Sequence, residues 1–262
     1  MAARAQCLMA SQPNAPQKET SQQSKTSQCG SKMQMRFPKE GTRAWKVLYV
    51  IAIIIRPFFV RLNIEGEENI PAAGGCVIAC NHTLGADYVL LGYASPRQVY
   101  YMAKSEIFAF HPVLAKLVAS AGAFPVQRGR GDTQAVEQAV AIVQAGKIVG
   151  MFPEGTRSRN GKLQRAKPGA ARIAARAHAS VVPAAVINGD TILRDFFKLQ
   201  RRPLVTVHFG EPIAPTGDAD SAQEMQQFTT AIMLAIADLL PVEQRGYYAD
   251  AAALPVGERV RG

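Results

Sequence analysis

Six short apolar or alternating runs recur along this chain, and helical segments separate several of them, which leaves few folds open. Val60, Leu62 and Ile64 alternate with polar or charged neighbours ahead of the Gly66-to-Pro71 turn region, as a half-buried strand does. Cys76 to Cys80, Val99 to Met102, Ile148 to Phe152, Val181 to Ile187 and Leu204 to Phe209 also read as strands. Those at 76–80 and 148–152 have the near-continuous apolar character of fully buried ones. Asp132 is placed to cap a helix in which Val136, Val140 and Val143 recur at helical spacing and which Gly146 ends. Lys167 to His178 is alanine-rich and helical, and Gln223 to Leu240 makes a long final helix. Strands alternating with helices predict an α/β fold: a single layered domain whose mixed or largely parallel sheet is flanked by helices. In such sheets chemistry gathers in the loops that follow the strands.

An N-terminal apolar helix precedes this domain. Val47 to Ile55 is apolar on every face and is flanked by Arg43, Lys46, Arg56 and Arg61. As a helix these nine residues would span roughly 14 Å, about half of a hydrocarbon core, and Pro57 is expected to stop any extension. That argues against a crossing and leaves two options: a buried helix, or one sunk in a membrane interface with its basic flanks at anionic headgroups. The organisation expected is a disordered tail over 1–40, the apolar helix over 41–57, the main domain over 58–240 and a C-terminal tail over 241–262. The first forty residues are rich in Ser, Gln, Lys and Ala and contain no apolar core for a secretory signal. A transit peptide, or an initiator at Met33 or Met35, fits that composition equally well.

The formal net charge of +10 favours an acidic partner: nucleic acid, an anionic membrane surface, or a phosphorylated substrate. Four cysteines without a CxxC spacing argue against a disulfide framework and for a reducing compartment.

Two stretches begin where predicted strands stop. Asn81-His82-Thr83-Leu84-Gly85-Ala86-Asp87 places a histidine near a carboxylate, the minimum for taking a proton from a hydroxyl. On one regular helix the two side chains would lie about 140° apart. They meet only if a loop through Gly85 leads into a helix that starts near Asp87. The same residues also suit Asn81 as a helix cap, His82 as a partly buried side chain and Asp87 in a solvated first turn. Phe152-Pro153-Glu154-Gly155-Thr156-Arg157 offers a glycine, a hydroxyl and a guanidinium to an anion. It opens a stretch, Gly155 to Ser180, with seven Lys or Arg residues and no Asp or Glu. Gly122 to Arg130 sets Arg128 just after another short apolar stretch, either aimed at phosphate or part of a basic surface turn.

In this order, these segments resemble the lysophospholipid acyltransferase family, typified by 1-acyl-glycerol-3-phosphate acyltransferase. Asn81-His82 with Asp87 matches its NHx4D block, Gly122 to Arg128 its second block, Phe152 to Ser158 its FPEGTRS block, and Val182-Pro183 resembles the fourth. The family often has Ser where this chain has Leu84. The resemblance covers about residues 60 to 215. It implies transfer of a fatty acyl group from acyl-CoA or acyl carrier protein to the free hydroxyl of a lysophospholipid, with 1-acyl-glycerol-3-phosphate as acceptor and phosphatidic acid as product. It makes His82 the general base and Asp87 its positioning partner. Arg128, Glu154, Gly155, Thr156 and Arg157 would shape the acceptor site, with Glu154 pairing with an arginine or ordering the loop. No metal or other cofactor is implied beyond the thioester co-substrate. The expected location is peripheral, on the cytoplasmic face of a membrane.

Two other classes compete with this reading. Cys80 could serve a thiol-dependent acyl hydrolase, against the plainer role of a buried structural cysteine. The basic stretch could bind nucleic acid, but residues 153–195 contain no Phe, Tyr or Trp to stack on bases, so no nucleic-acid partner is expected.

Overall fold

The computed structural model describes residues 41–83, 86–126, 133–195 and 202–252. The tail expected over 1–40 lies outside them, as do Leu84, Gly85, Arg128 and the proposed cap Asp132. Seven strands form one sheet: β1 (Arg61–Glu65), β2 (Cys76–Cys80), β3 (Val99–Lys104), β4 (Ala123–Val126), β5 (Ile148–Met151), β6 (Val181–Ile187) and β7 (Leu204–Phe209). Their order is β1-β7-β6-β2-β5-β3-β4, and every neighbouring pair is parallel except β6 with β7. β2 therefore sits in the middle, with β5 on one side and β6 on the other.

The strands alternate their side chains between two cores. Val77, Ala79, Val149, Val181 and Ala185 join one apolar cluster with the helices α5 (Thr133–Gln144), α6 (Gly169–Ala177) and α8 (Ala222–Leu239). Cys76, Ile78, Cys80, Ile148, Val182, Ala184 and Val186 join the other, with Leu90, Leu91 and Ala94 of α2 (Asp87–Ala94). This period-two division, buried on both faces, is why β2 and β6 read as nearly unbroken apolar runs. In α5 the buried face is Ala135, Ala139 and Val143, while Val136 and Val140 are half-buried beside it. α5 and α6 pack on each other, and their small residues permit close approach to the sheet.

Residues Arg43–Phe59 form helix α1, which Thr42 starts by accepting from the Trp45 N–H. Pro57 does not end it: the proline lies in the last turn, and Val60 leaves in extended conformation. Nor is α1 a buried helix, because Trp45 is its only buried residue. Val47, Ile51, Ile54, Ile55 and Phe58 form an exposed apolar stripe, with Phe58 at 75% exposure. Among the described residues no helix is long and apolar enough to cross a membrane. Three short helices had no sequence signal that separated them from loops: α3 (Ser105–Phe110), α4 (Pro112–Ser120) and α7 (Asp190–Asp195). The stretch after Pro241, expected as a tail, is packed as far as α9 (Ala249–Ala252). The Tyr247 N–H donates to the Leu163 carbonyl, and the buried Tyr248 hydroxyl accepts from the Ala166 N–H.

Arg97 ties together the entrances to the central strands. Its Nη1 donates to the Pro71 and Gly74 carbonyls at 2.9 and 2.7 Å, and its Nη2 donates to the Gly146 carbonyl at 2.6 Å. Those carbonyls belong to the loops leading into β2 and β5, and Arg97 itself precedes β3. Arg97→Ala should lower unfolding free energy by about 2 kcal/mol or more, because it loses three charge-assisted bonds made by a buried guanidinium. Urea denaturation measures this, and a change below about 1 kcal/mol would show the tie to be dispensable.

Candidate active site

The strands β2, β5 and β6 run side by side in one direction, so the loops after Cys80, Met151 and Ile187 open at the same end of the sheet. β2 stops at Cys80 because the next side chain turns to another purpose. Asn81 does not cap a helix: it donates to the Val186 carbonyl at 3.0 Å and accepts from the Val186 N–H at 2.8 Å. It thus continues the pairing with β6 through a side chain, and the backbone is free to leave the sheet.

Asp87, the first residue of α2, is completely buried and lies 2.9 Å from Nδ1 of His82, whose side chain is 15% exposed. Thr83 supplies two further donors to the same carboxylate, its N–H at 2.7 Å to Oδ2 and its hydroxyl at 2.8 Å to Oδ1. A carboxylate taken out of water needs such donors, and it sits at the positive end of α2. With Nδ1–H given to Asp87, the lone pair of His82 is on Nε2, the nitrogen left for a substrate. The two side chains therefore meet, with Asp87 opening α2 as the spacing required.

Glu154 is a second buried carboxylate, 4% exposed, and two of its partners are backbone N–H groups. Its Oε1 accepts from the His82 N–H at 2.8 Å, and its Oε2 accepts from the Gln164 N–H at 2.9 Å and from Gln164 Nε2 at 3.3 Å. Among the described residues its recorded partners are these rather than an arginine, so it orders loops instead of pairing with a cation. Burial pushes the Glu154 carboxyl above its usual range, and the hydrogen bonds from His82 and Gln164 oppose that rise. The stability this group contributes is whole below the ordinary carboxylate range and is lost as pH climbs through its raised value.

Gly155, Thr156 and Arg157 are exposed on the turn that follows, with Gly155 at φ +70. The Thr156 carbonyl accepts from Gln164 Nε2, and the Ser158 N–H donates to the His82 carbonyl at 2.8 Å. Arg157 is thereby held one residue from a direct backbone bond to His82. Lys167 runs its aliphatic stem past Gly155, whose left-handed turn is what favours glycine there. Of the site residues expected from sequence, Arg128 alone lies outside the described residues.

Several participants were not singled out by sequence. Thr83 and Gln164 act through backbone and short side-chain bonds, and Ser158, although it closes the FPEGTRS block, was given no role of its own. Gly189, just after β6, admits the Asp87 carboxylate: a Cβ there would stand 2.9 Å from Oδ1 and 2.8 Å from Cγ1 of Val186. Cys80 cannot serve as a nucleophile. It is completely buried, and burial with the nearby Asp87 and Glu154 charges holds its thiol well above the ordinary range. Cys76 is likewise pushed up to about 11 by burial. Among the described residues no group of three His, Cys, Asp or Glu side chains is arranged to hold a metal.

A mostly parallel sheet carrying a His–Asp pair at its strand ends places the chain among the α/β acyltransferases, and the Acyltransferase family model matches residues 61–187. A 1-acyl-sn-glycerol-3-phosphate acyltransferase of Bacillus subtilis is 33% identical over 182 residues, covering 68% of this chain and 87% of that protein. A chloroplastic 1-acyl-sn-glycerol-3-phosphate acyltransferase of Arabidopsis thaliana is 32% identical over 146 residues, 54% of this chain but 40% of that longer protein. The crystal structure of the 1-acyl-sn-glycerophosphate acyltransferase PlsC from Thermotoga maritima shares the fold, with a TM-score of 0.58 at 22% identity over 74% of this chain and 78% of that one. The chain belongs to the 1-acyl-sn-glycerol-3-phosphate acyltransferase-like family and is an O-acyltransferase.

Glu154→Gln should destabilise the protein although it is nearly isosteric. Whichever way the amide turns, its NH2 faces a backbone N–H and leaves that donor without its acceptor. A loss of about 1–3 kcal/mol by urea unfolding is expected, and a neutral substitution would show that Glu154 is protonated and replaceable.

Proposed function

We propose that this enzyme moves a fatty acyl group from an acyl thioester to the free hydroxyl of 1-acyl-glycerol-3-phosphate, giving phosphatidic acid. The observation that carries the reading is the 2.9 Å bond between His82 Nδ1 and the buried Asp87, which leaves Nε2 free. The acceptor hydroxyl gives its proton to Nε2 as its oxygen attacks the thioester carbonyl. The tetrahedral intermediate then collapses: the C–S bond breaks, and the imidazolium returns the proton to the departing thiolate. Asp87 holds the ring and stabilises its cationic form through this cycle. No covalent acyl-enzyme is needed.

The Gly155-Thr156-Arg157 turn and Arg128 are assigned to the acceptor phosphate, the arginines as bidentate partners and the turn as a backbone cradle. Glu154, the residue before that turn, ties it to His82 and Gln164 by accepting from both backbone N–H groups. The donor is acyl-CoA or acyl carrier protein. Both present a phosphopantetheine thioester, and the cation-rich stretch from Gly155 to Ser180 suits either. Mixing each donor with a panel of lysolipids and identifying products by mass separates them.

The exposed apolar stripe of α1 and its basic flanks support peripheral attachment to an anionic bilayer at the cytoplasmic face, where thioester donors and lipid acceptors meet. We assign residues 58–240 as the acyltransferase unit and α1 as its membrane contact.

His82→Ala should lose about three or more orders of magnitude in kcat with 1-acyl-glycerol-3-phosphate while unfolding normally. Turnover within ten-fold of the unmodified enzyme would reject the mechanism. Ile54→Glu with Phe58→Glu places two charges on the exposed stripe where little packing is lost. Co-sedimentation with vesicles containing anionic phospholipid should then fall by at least about ten-fold, each charge having to enter the interface. Unchanged binding would remove α1 as the contact.

A further inference from the structure

Asp87 fixes only part of the orientation of His82. A hydrogen bond at Nδ1 sets where one edge of the imidazole points, but the ring can still swing about the Nδ1···Oδ2 line. Its plane, and therefore the direction of Nε2, needs a second constraint.

Phe152 provides one. It is the first residue after β5, and its ring stacks on that of His82 with centroids 4.1 Å apart and planes inclined by 23°. Tyr101 of β3 lies nearly parallel to Phe152, at 6.4 Å and 13°. Tyr101 pairs in register with Gly150, two residues before Phe152, so both rings rise from the same face of the sheet. Glycine at 150 is what admits the tyrosine ring, since a Cβ there would stand 2.4 Å from Cε1 of Tyr101. The Tyr101 hydroxyl is buried with no hydrogen-bond partner among the described residues. A buried unpartnered hydroxyl is a cost, so what the site gains from Tyr101 is its ring.

We propose that Phe152, backed by Tyr101, is a positioning residue: its ring face sets the plane of the His82 imidazole and so aims Nε2 at the acceptor hydroxyl. This rests on His82 being the base. When the imidazole takes the proton, its new positive charge sits over the electron-rich face of Phe152, a gain realised during reaction rather than on binding. Phe152 therefore acts on kcat and leaves acceptor binding alone.

Two readouts test this on the full chain. In the unmodified protein the carbon-bound imidazole protons of His82, assigned by their loss in His82→Ala, should resonate upfield because of the Phe152 ring current. Phe152→Leu should move them downfield and lower kcat about ten- to a hundred-fold, with KM for 1-acyl-glycerol-3-phosphate within about two-fold. Phe152→Met serves in its place if the leucine variant does not fold. Tyr101→Phe keeps the rings and removes the unpartnered hydroxyl, so it should preserve kcat and resist urea at least as well. Unmoved His82 resonances in Phe152→Leu, a normal kcat for that variant, or an inactive Tyr101→Phe would each overturn the proposal. An active His82→Ala would instead reject the general-base reading, and the ring-current result would still report whether Phe152 sets the imidazole plane.

Discussion

Two carboxylates removed from water hold one loop between them, and the site depends on that constraint. Asp87 takes donors from the His82 ring and from Thr83, while Glu154 takes the His82 N–H. Neither charge can be left bare in the interior, so each demands its donors, and the chain between Asn81 and Asp87 supplies most of them. The loop is anchored on its third side by Asn81, whose amide exchanges two hydrogen bonds with Val186 of β6. Adjacent strand ends thus fix Asn81, His82 and Thr83 from three sides, which is how residues beyond a strand can hold an imidazole with the precision of one.

The parallel sheet explains why so much of the fold was legible. β2 and β6 are buried on both faces, so their apolar runs are unbroken, and the bounds Cys76–Cys80, Val181–Ile187 and Leu204–Phe209 coincide with those read from the residues. The short helices between β2 and β4 were less legible: α2, α3 and α4 are six to nine residues long, too short for a helical period to stand out from an apolar loop. Pro57 misled because a proline within the last turn costs less than one in the interior, where more of the helix lies beyond it. Burial on α1 could not be read at all, since a segment apolar all round has no face that periodicity can mark.

At the site, the sequence displayed the residue types but not their partners. His82 and Asp87 were visible as a pair, and the two side chains do meet, while the turn through Gly85 expected to join them lies outside the described residues. Glu154 was read with an arginine as one option, yet its acceptors face backbone N–H groups, and backbone donors carry no residue identity to find. Gly189 and Gly150 escaped for a related reason: each matters through the Cβ it lacks, where Asp87 or Tyr101 occupies the space. Such roles are set by approach distances between segments far apart in sequence.

Cys80 shows how the same constraint narrows the chemistry. Its thiol is the nearest soft nucleophile to the imidazole in sequence, but it is completely buried in the apolar cluster that includes Leu91 and Val182. The two carboxylates that steady His82 are also the charges that oppose a thiolate at Cys80, together with complete burial. An arrangement that orients a base and at the same time suppresses the adjacent nucleophile is suited to direct attack by an external alcohol. On the proposed mechanism the acyl group has no reason to rest on the protein, and the fidelity of transfer would fall on how well the acceptor, rather than water, is held against Nε2 of His82.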